Sequence, residues 1–335
     1  MTDRLTAVVG RRYRIDDYYE VGREKIREFA RAVRADHPVH WDESVAAEYG
    51  YPGLPAPPTF GCLLSDTVQQ ALTHILDGYD LESTIHTDQV FEFHRPAVAG
   101  DQLTSTVALQ SFRRAFGGDL FVVENAVTDQ RGSAVFSART SAIARSQPTA
   151  SDSLTRVMAG ILRSDVLAAR KAAVPMTEVT DDATPTRPSG SGNRWARPMA
   201  MVSVGDRLPP RIFAVTRGDL VNYAGVCGDP NPIHWHDGTA QLLGLQRGVV
   251  AHGMLTMGLG AGYLTSWLGD PGALRQYSVR MTSPVFVGPN APAAVEFGGV
   301  VKSLDPDTGT ATVALTATFD RRRIFGRATA MVRLS

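Results

Sequence analysis

The chain has 335 residues, 43% hydrophobic and 20% charged, with 34 basic and 34 acidic side chains. That length suits two domains of ordinary size, and the even charge balance offers no overall field for nucleic acid or an anionic membrane. Its two cysteines, Cys62 and Cys227, have neither the number for a disulfide framework nor the spacing of a CxxC metal site, which fits a reduced, cytoplasmic setting.

The apolar run before Arg11 is too short for the core of a signal peptide. Next come FARAVRADHPVHW (29–41), LPAPPTFGCLL (54–64) and RPAVAGD (95–101). Three runs follow, 101–110, 119–129 and 133–144, in which Val, Thr and Phe alternate with polar residues. With a turn at Arg131-Gly132, they predict antiparallel strands. Leu154, Val157, Met158, Ile161 and Leu162 recur at helical spacing, followed by Val166 and Leu167, and predict an amphipathic helix. Residues 174–193 are rich in Pro, Thr, Asp, Gly and Ser and predict a linker.

The second half repeats the first. YAGVCGDPNPIHW (223–235) is followed by VVAHGMLTMGL (249–259), SPVFVGP (283–289) and β-rich runs at 291–302, 310–319 and 324–334, with a turn at Asp305-Pro306-Asp307. His40 matches His234, Ala56 matches Ala251 and Pro96 matches Pro284. From Gly248 to Gly269 no Lys, Arg, Asp or Glu occurs, a stretch long enough for a membrane span. Its six glycines and hydroxyl residues fit a buried helix better, so no membrane span is expected. The expectation is an α+β architecture, a long central helix wrapped by an antiparallel sheet, present twice and paired as a pseudo-dimer with one continuous sheet. The units are 1–146, a linker with a helix over 147–195, and 196–335.

Tyr223, Val226, Cys227, Gly228, Asp229, Asn231, Pro232, Ile233, His234 and Ala240 stand in one window, and Ala251-His252-Gly253-Met254 follows. This window resembles the hydratase-2 motif of MaoC-like (R)-specific enoyl thioester hydratases, and the repeated unit resembles a hotdog fold. The first half resembles the substrate-binding subunit, and the second the catalytic subunit, of HadAB-type (3R)-hydroxyacyl-acyl carrier protein dehydratases. The resemblance leaves 147–195 unexplained. It implies an acyl thioester substrate on coenzyme A or acyl carrier protein, no cofactor and no metal, and a hydro-lyase of fatty-acid metabolism.

Water leaves a 3-hydroxyacyl thioester only if an acid and a base sit beside adjacent carbons and donors hold the enolate-like oxygen. Asn231-Pro232 breaks any helix between Asp229 and His234, so the segment is expected to be a loop that turns both groups to one point. By resemblance these two are the catalytic pair. Gly253, at the expected start of the buried helix, is the candidate oxyanion donor, while Asn231 and His252 are further substrate-binding candidates. The alternative for each is structural: a turn-closing Asp or Asn, a buried histidine, a packing glycine.

In the first half the same alignment puts Ala35 at Asp229, His37 at Asn231, and Pro57-Pro58 at His252-Gly253, with Asp36 one residue out of register. Proline has no N–H to donate. One active site is therefore expected, with the first half binding the acyl tail; Phe60, Leu63 and Leu64 are the groove candidates, against a plain core role. Arg275 and Arg280 are candidates for a pantetheine phosphate, against simple surface solvation. A hotdog thioesterase and a non-catalytic thioester-binding protein remain as alternatives, and a homodimer remains open.

Overall fold

The computed structural model describes residues 7–76, 84–115, 118–144, 157, 160–162, 174–180 and 194–335. The β-rich runs form strands whose burial alternates, so each presents one face to a core. In the first half these are β1 (Arg12–Ile15), β2 (Tyr19–Glu20), β3 (Ile85–Phe93), β4 (Gln102–Ala115), β5 (Gly118–Thr128) and β6 (Ala134–Ala144). After β7 (Met176–Val179), the second half contributes β8 (Arg207–Val215), β9 (Leu274–Met281), β10 (Ala293–Asp305), β11 (Thr310–Phe319), β12 (Arg322–Arg323) and β13 (Phe325–Arg333).

The sheet runs β7-β1-β4-β5-β6-β3-β9-β13-β11-β10-β8. Read outward from its centre, β3-β6-β5-β4-β1 on one side matches β9-β13-β11-β10-β8 on the other, so the internal repeat is a repeat of topology. The halves join where β3 runs antiparallel to β9, with Asp88 opposite Arg280 and Phe91 opposite Tyr277. Joining in this way pairs two strand edges that would otherwise be open and makes the pseudo-dimer a continuous sheet. This is the double hotdog expected from the sequence.

The helices repeat in the same order. α1 (Arg23–Ala32), α2 (Glu43–Glu48) and α3 (Ser65–Ile75) correspond to α4 (Arg217–Cys227), α5 (Asp237–Leu242) and α6 (Gly253–Leu268). Buried residues cover all sides of α6, as expected of an uncharged segment. Its Gly258 lets Val33 of the first half approach to where a Cβ would stand, 2.6 Å from the valine side chain. At 16 residues α6 is about 24 Å long, short of the ~30 Å core of a bilayer, and no described helix is long and apolar enough to cross one.

Three expectations need correction or fall elsewhere. The central helix of the first half changes type along its length: a 3-10 helix over Pro58–Leu64, with Pro58 in its first turn, runs without a break into α3, which has 11 residues. The linker is not wholly irregular, since β7 within it pairs antiparallel with β1, opposing Arg12 to Val179 and Ile15 to Met176. Of the amphipathic segment, Leu154, Met158, Val166 and Leu167 lie outside the described residues, whereas Leu162 is buried.

Candidate active site

Thr216 and Asp219 form a reciprocal capping box at the start of α4, and Gly228 ends the helix in the left-handed conformation, φ +75°. That turn delivers the chain to Asp229. One carboxylate oxygen of Asp229 accepts from the Asn231 N–H at 3.1 Å, and the Asn231 side chain accepts from the Ile233 N–H at 3.2 Å. Pro232 then opens a single 3-10 turn that ends at His234. These local bonds fold five residues back on themselves and bring His234 Nε2 to 3.8 Å from Asp229 Oδ2. Asn231 thus serves as the cap that shapes the loop, although it also borders the cavity described below.

His234 is buried, and its Nδ1 lies 2.7 Å from the Val250 carbonyl oxygen. A carbonyl only accepts, so Nδ1 carries the proton and Nε2 faces Asp229 with a free lone pair. Burial lowers the imidazole pKa, opposed by the Asp229 charge and the Val250 carbonyl. The result is a neutral base at neutral pH. His252 stacks on it with ring centres 3.6 Å apart, and burial and His234 push its own pKa down to about 3. The Asp229 backbone approaches the His252 ring closely enough to oppose that shift without a well-formed hydrogen bond, and the visible role of His252 is to back the His234 ring.

Gly253 is the first residue of α6. The N–H groups of that first turn have no carbonyl four residues earlier in the helix, and they point where the helix dipole favours negative charge. A Cβ at Gly253 would collide with the Met281 sulfur, so any larger residue there would push the Met281 side chain aside.

Asp229, Asn231, His234, His252 and Gly253 all line one cavity of about 540 Å³, which the first half also borders through Cys62, Ser65 and Gln69. Those three residues, with Thr84, His86 and Met254, also line a second cavity of about 230 Å³ inside the first half, between α3 and the sheet. Ser65, Val68, Gln69, Leu72 and Leu76 face it at helical spacing, and Phe121, Val123, Ala138 and Ala142 line its other side. The groove candidates are therefore corrected: Phe60, Leu63 and Leu64 line neither cavity, and Phe60 borders only a small pocket of about 20 Å³ beside Pro57, Pro58 and Phe93. They sit on other faces of the same segment, with Phe60 edge-on to Phe29 at 5.4 Å and Leu64 buried in the main core. The arginine candidates are committed as well, Arg280 to Asp88 at 2.7 Å and Arg275 to the His94 carbonyl.

Two family models match, "FAS1-like, dehydratase domain region" over residues 7–138 and "MaoC like domain" over 200–318. A solved structure described as a MaoC-like dehydratase is 42% identical, covers 99% of this chain and 100% of its own, and superposes with a TM-score of 0.89. The chain belongs to the MaoC-like dehydratase family. The chain is also 44% identical over 126 residues to a UPF0336 protein of Mycolicibacterium paratuberculosis, a match spanning 37% of this chain and 72% of that one. A Mycobacterium tuberculosis protein described as a double hotdog fold shares the architecture at 16% identity, with a TM-score of 0.60 and coverage of 98% and 97%.

Within this MaoC-like chain, the first half keeps the scaffold of the loop but not its side chains. His40 Nδ1 lies 2.7 Å from the Pro55 carbonyl oxygen, as His234 does from Val250. The His37 ring caps the 3-10 turn through the Val39 N–H, as Asn231 does through Ile233. Yet Ala35 is a buried methyl, and Asp36 points outward to pair with Arg211 at 2.7 Å. Pro58 heads the following turn with no N–H to offer.

His40→Gln is accordingly expected to keep near wild-type turnover, because glutamine can still donate to the Pro55 carbonyl. It is expected to change acid stability instead. Burial lowers the His40 pKa from 6.5 to about 4. The unfolded chain then takes up the proton first, so stability is full above pH 6.5 and is lost as pH falls toward 4. The slope is about 1.4 kcal/mol per pH unit. Urea midpoints at pH 7 and pH 5 check this: the variant's difference between the two is expected to be smaller than wild type's.

Among the described residues, Asp229, His234 and His252 each offer a ligand atom within 4.8 Å of the others, so a metal ion would also fit this trio. It would occupy the free lone pair of His234 Nε2, the atom that the acid–base reading uses.

Proposed function

We propose that the protein catalyses the reversible hydration of trans-2-enoyl thioesters to (3R)-hydroxyacyl thioesters in fatty-acid metabolism. The observation that carries this reading is the neutral His234 with an open Nε2, 3.8 Å from Asp229, lining the same cavity as Gly253 at the head of α6. A water on the cavity side of the pair can hydrogen-bond to both the carboxylate and the imidazole. As its oxygen bonds to Cβ, one proton passes to the pair and negative charge moves onto the thioester oxygen. The N–H groups at Gly253 hold that charge, and the pair returns a proton to Cα. Water is added across the double bond, and no other reactant is used. Dehydration reverses these steps.

The apolar part of the 230 Å³ cavity supports a place for the acyl tail in the first half, against α3. The thioesterase alternative is less favoured: α6 carries no Asp or Glu, and the carboxylate of Asp66 on α3, which borders the 540 Å³ cavity, is exposed and accepts from the Gln70 side chain. The test is steady-state turnover of trans-2-enoyl thioesters on coenzyme A and on acyl carrier protein, with chiral analysis of the product. The (3R) alcohol is expected on the better carrier; the (3S) alcohol would overturn the reading.

A further inference from the structure

The second cavity is not a plain hydrocarbon tunnel. On the inward face of the first half, three cross-strand rows can be followed through β5, β6 and β3. They are Phe121–Ala142–His86, Val123–Thr140–Gln89 and Asn125–Ala138–Phe91. Each row has one apolar end, and together they place His86, Gln89, Thr140 and Asn125 in the cavity wall. Thr140 donates to the Gln89 carboxamide oxygen at 2.8 Å, which ties two of the four together. Asn125 is only 6% exposed, and its carboxamide oxygen has no hydrogen-bond partner.

The fold does not demand this polarity. On β11 and β13, which match β5 and β6, the buried residues are apolar, among them Val313, Leu315 and Ala317 on β11 and Ala328, Ala330 and Val332 on β13, although β9 turns the buried hydroxyl of Tyr277 toward Gly260 of α6. The proposed acid–base step does not use it either. A buried carboxamide without a partner is unfavourable unless something supplies the missing bond. Turned either way about its last torsion, Asn125 can accept from a hydroxyl or donate to a carbonyl.

We propose that this cavity selects an acyl tail carrying an oxygen substituent, a hydroxyl or carbonyl group, which hydrogen-bonds to Asn125 beside the Gln89–Thr140 pair. The inference rests on the hydratase reading, because it takes the cavity to be the tail's berth. It adds a substrate class: an oxygenated acyl thioester is preferred over the plain alkyl chain of equal length. A site built to bond such a group discriminates strongly against the analogue that lacks it, since its own polar atoms are then left unpaired.

Two ladders of trans-2-enoyl thioesters test this, one alkyl-terminated and one with a hydroxyl on the terminal carbon, each on wild type, Asn125→Leu and Thr140→Val. At one chain length or more, wild type is expected to favour the hydroxylated member by about tenfold in kcat/KM, and Asn125→Leu to move that ratio about tenfold toward the alkyl member. Thr140→Val keeps the side-chain volume while removing the hydroxyl, so it provides the same comparison if Asn125→Leu does not fold, with a shift in the same direction expected. Wild type favouring the alkyl member at every length, or a ratio unmoved in the folded variants, would overturn the proposal and leave water as the partner of Asn125. Failure of wild type to hydrate any member of either ladder would strike the hydratase reading itself.

Discussion

Asp229→Asn and His234→Ala are each expected to lower hydration by about 10²–10⁴-fold, the usual cost of losing a positioned acid–base group. The two losses have different physical origins. Asp229→Asn keeps the oxygen that accepts from the Asn231 N–H, and the side chain is 44% exposed, so the loop is expected to hold its shape. It removes the charge that favours the protonated imidazole, so the His234 pKa is expected to fall further below its ordinary value. Proton uptake by Nε2 is then harder in the transition state. An NMR titration of His234 in the variant checks this second effect independently of turnover. His234→Ala removes the base itself and also leaves the Val250 carbonyl without its donor, so some stability is lost along with activity. Circular dichroism and a thermal midpoint on each variant separate the two. A folded variant with near wild-type kcat would remove that residue from the mechanism.

Ala138→Leu is expected to turn the enzyme against long substrates. Ala138 lies in the wall of the 230 Å³ cavity, beside Phe91 and Asn125 in the sheet. Leucine adds three carbons to that wall and excludes about as many from the acyl tail. At about 0.8 kcal/mol per excluded methylene, three cost on the order of 2.4 kcal/mol, or roughly fiftyfold in kcat/KM. Short acyl chains are expected to suffer far less, so the ratio of long-chain to short-chain kcat/KM is the quantity to measure. A loss that is uniform along the ladder would place the tail elsewhere.

The shape of the Asp229–His234 loop was legible in the sequence because it is made locally. Gly228, Asp229, Asn231 and Pro232 form the left-handed cap, the turn bonds and the 3-10 start among themselves, within a few residues of His234. The duplication was legible for a similar reason: histidines and β-rich runs recur in one order, and the strand order of the two halves repeats with them. The 230 Å³ cavity was not legible. Cys62, Ser65, Val68, Gln69, Leu72 and Leu76 share a helical stripe, but nothing local says whether that stripe meets the core or empty space. The small residues opposite, Ala138 and Ala142 on β6, decide it, and they lie some seventy residues downstream. Phe60, Leu63 and Leu64 were attractive because they are large and apolar, which is also what suits them to the core. β7 escaped for a related reason: its pairing partner is β1, more than 160 residues earlier, and its own composition reads as linker.

The central claim is that the site adds water to a carbon–carbon double bond and leaves the thioester whole. Its most direct test follows one reaction with two readouts: loss of the conjugated enoyl absorbance and release of free thiol, from a trans-2-enoyl thioester and from its saturated counterpart. Rapid loss of enoyl absorbance is expected, with no thiol released from either substrate. Thiol released from the saturated thioester, with the enoyl double bond untouched, would contradict it.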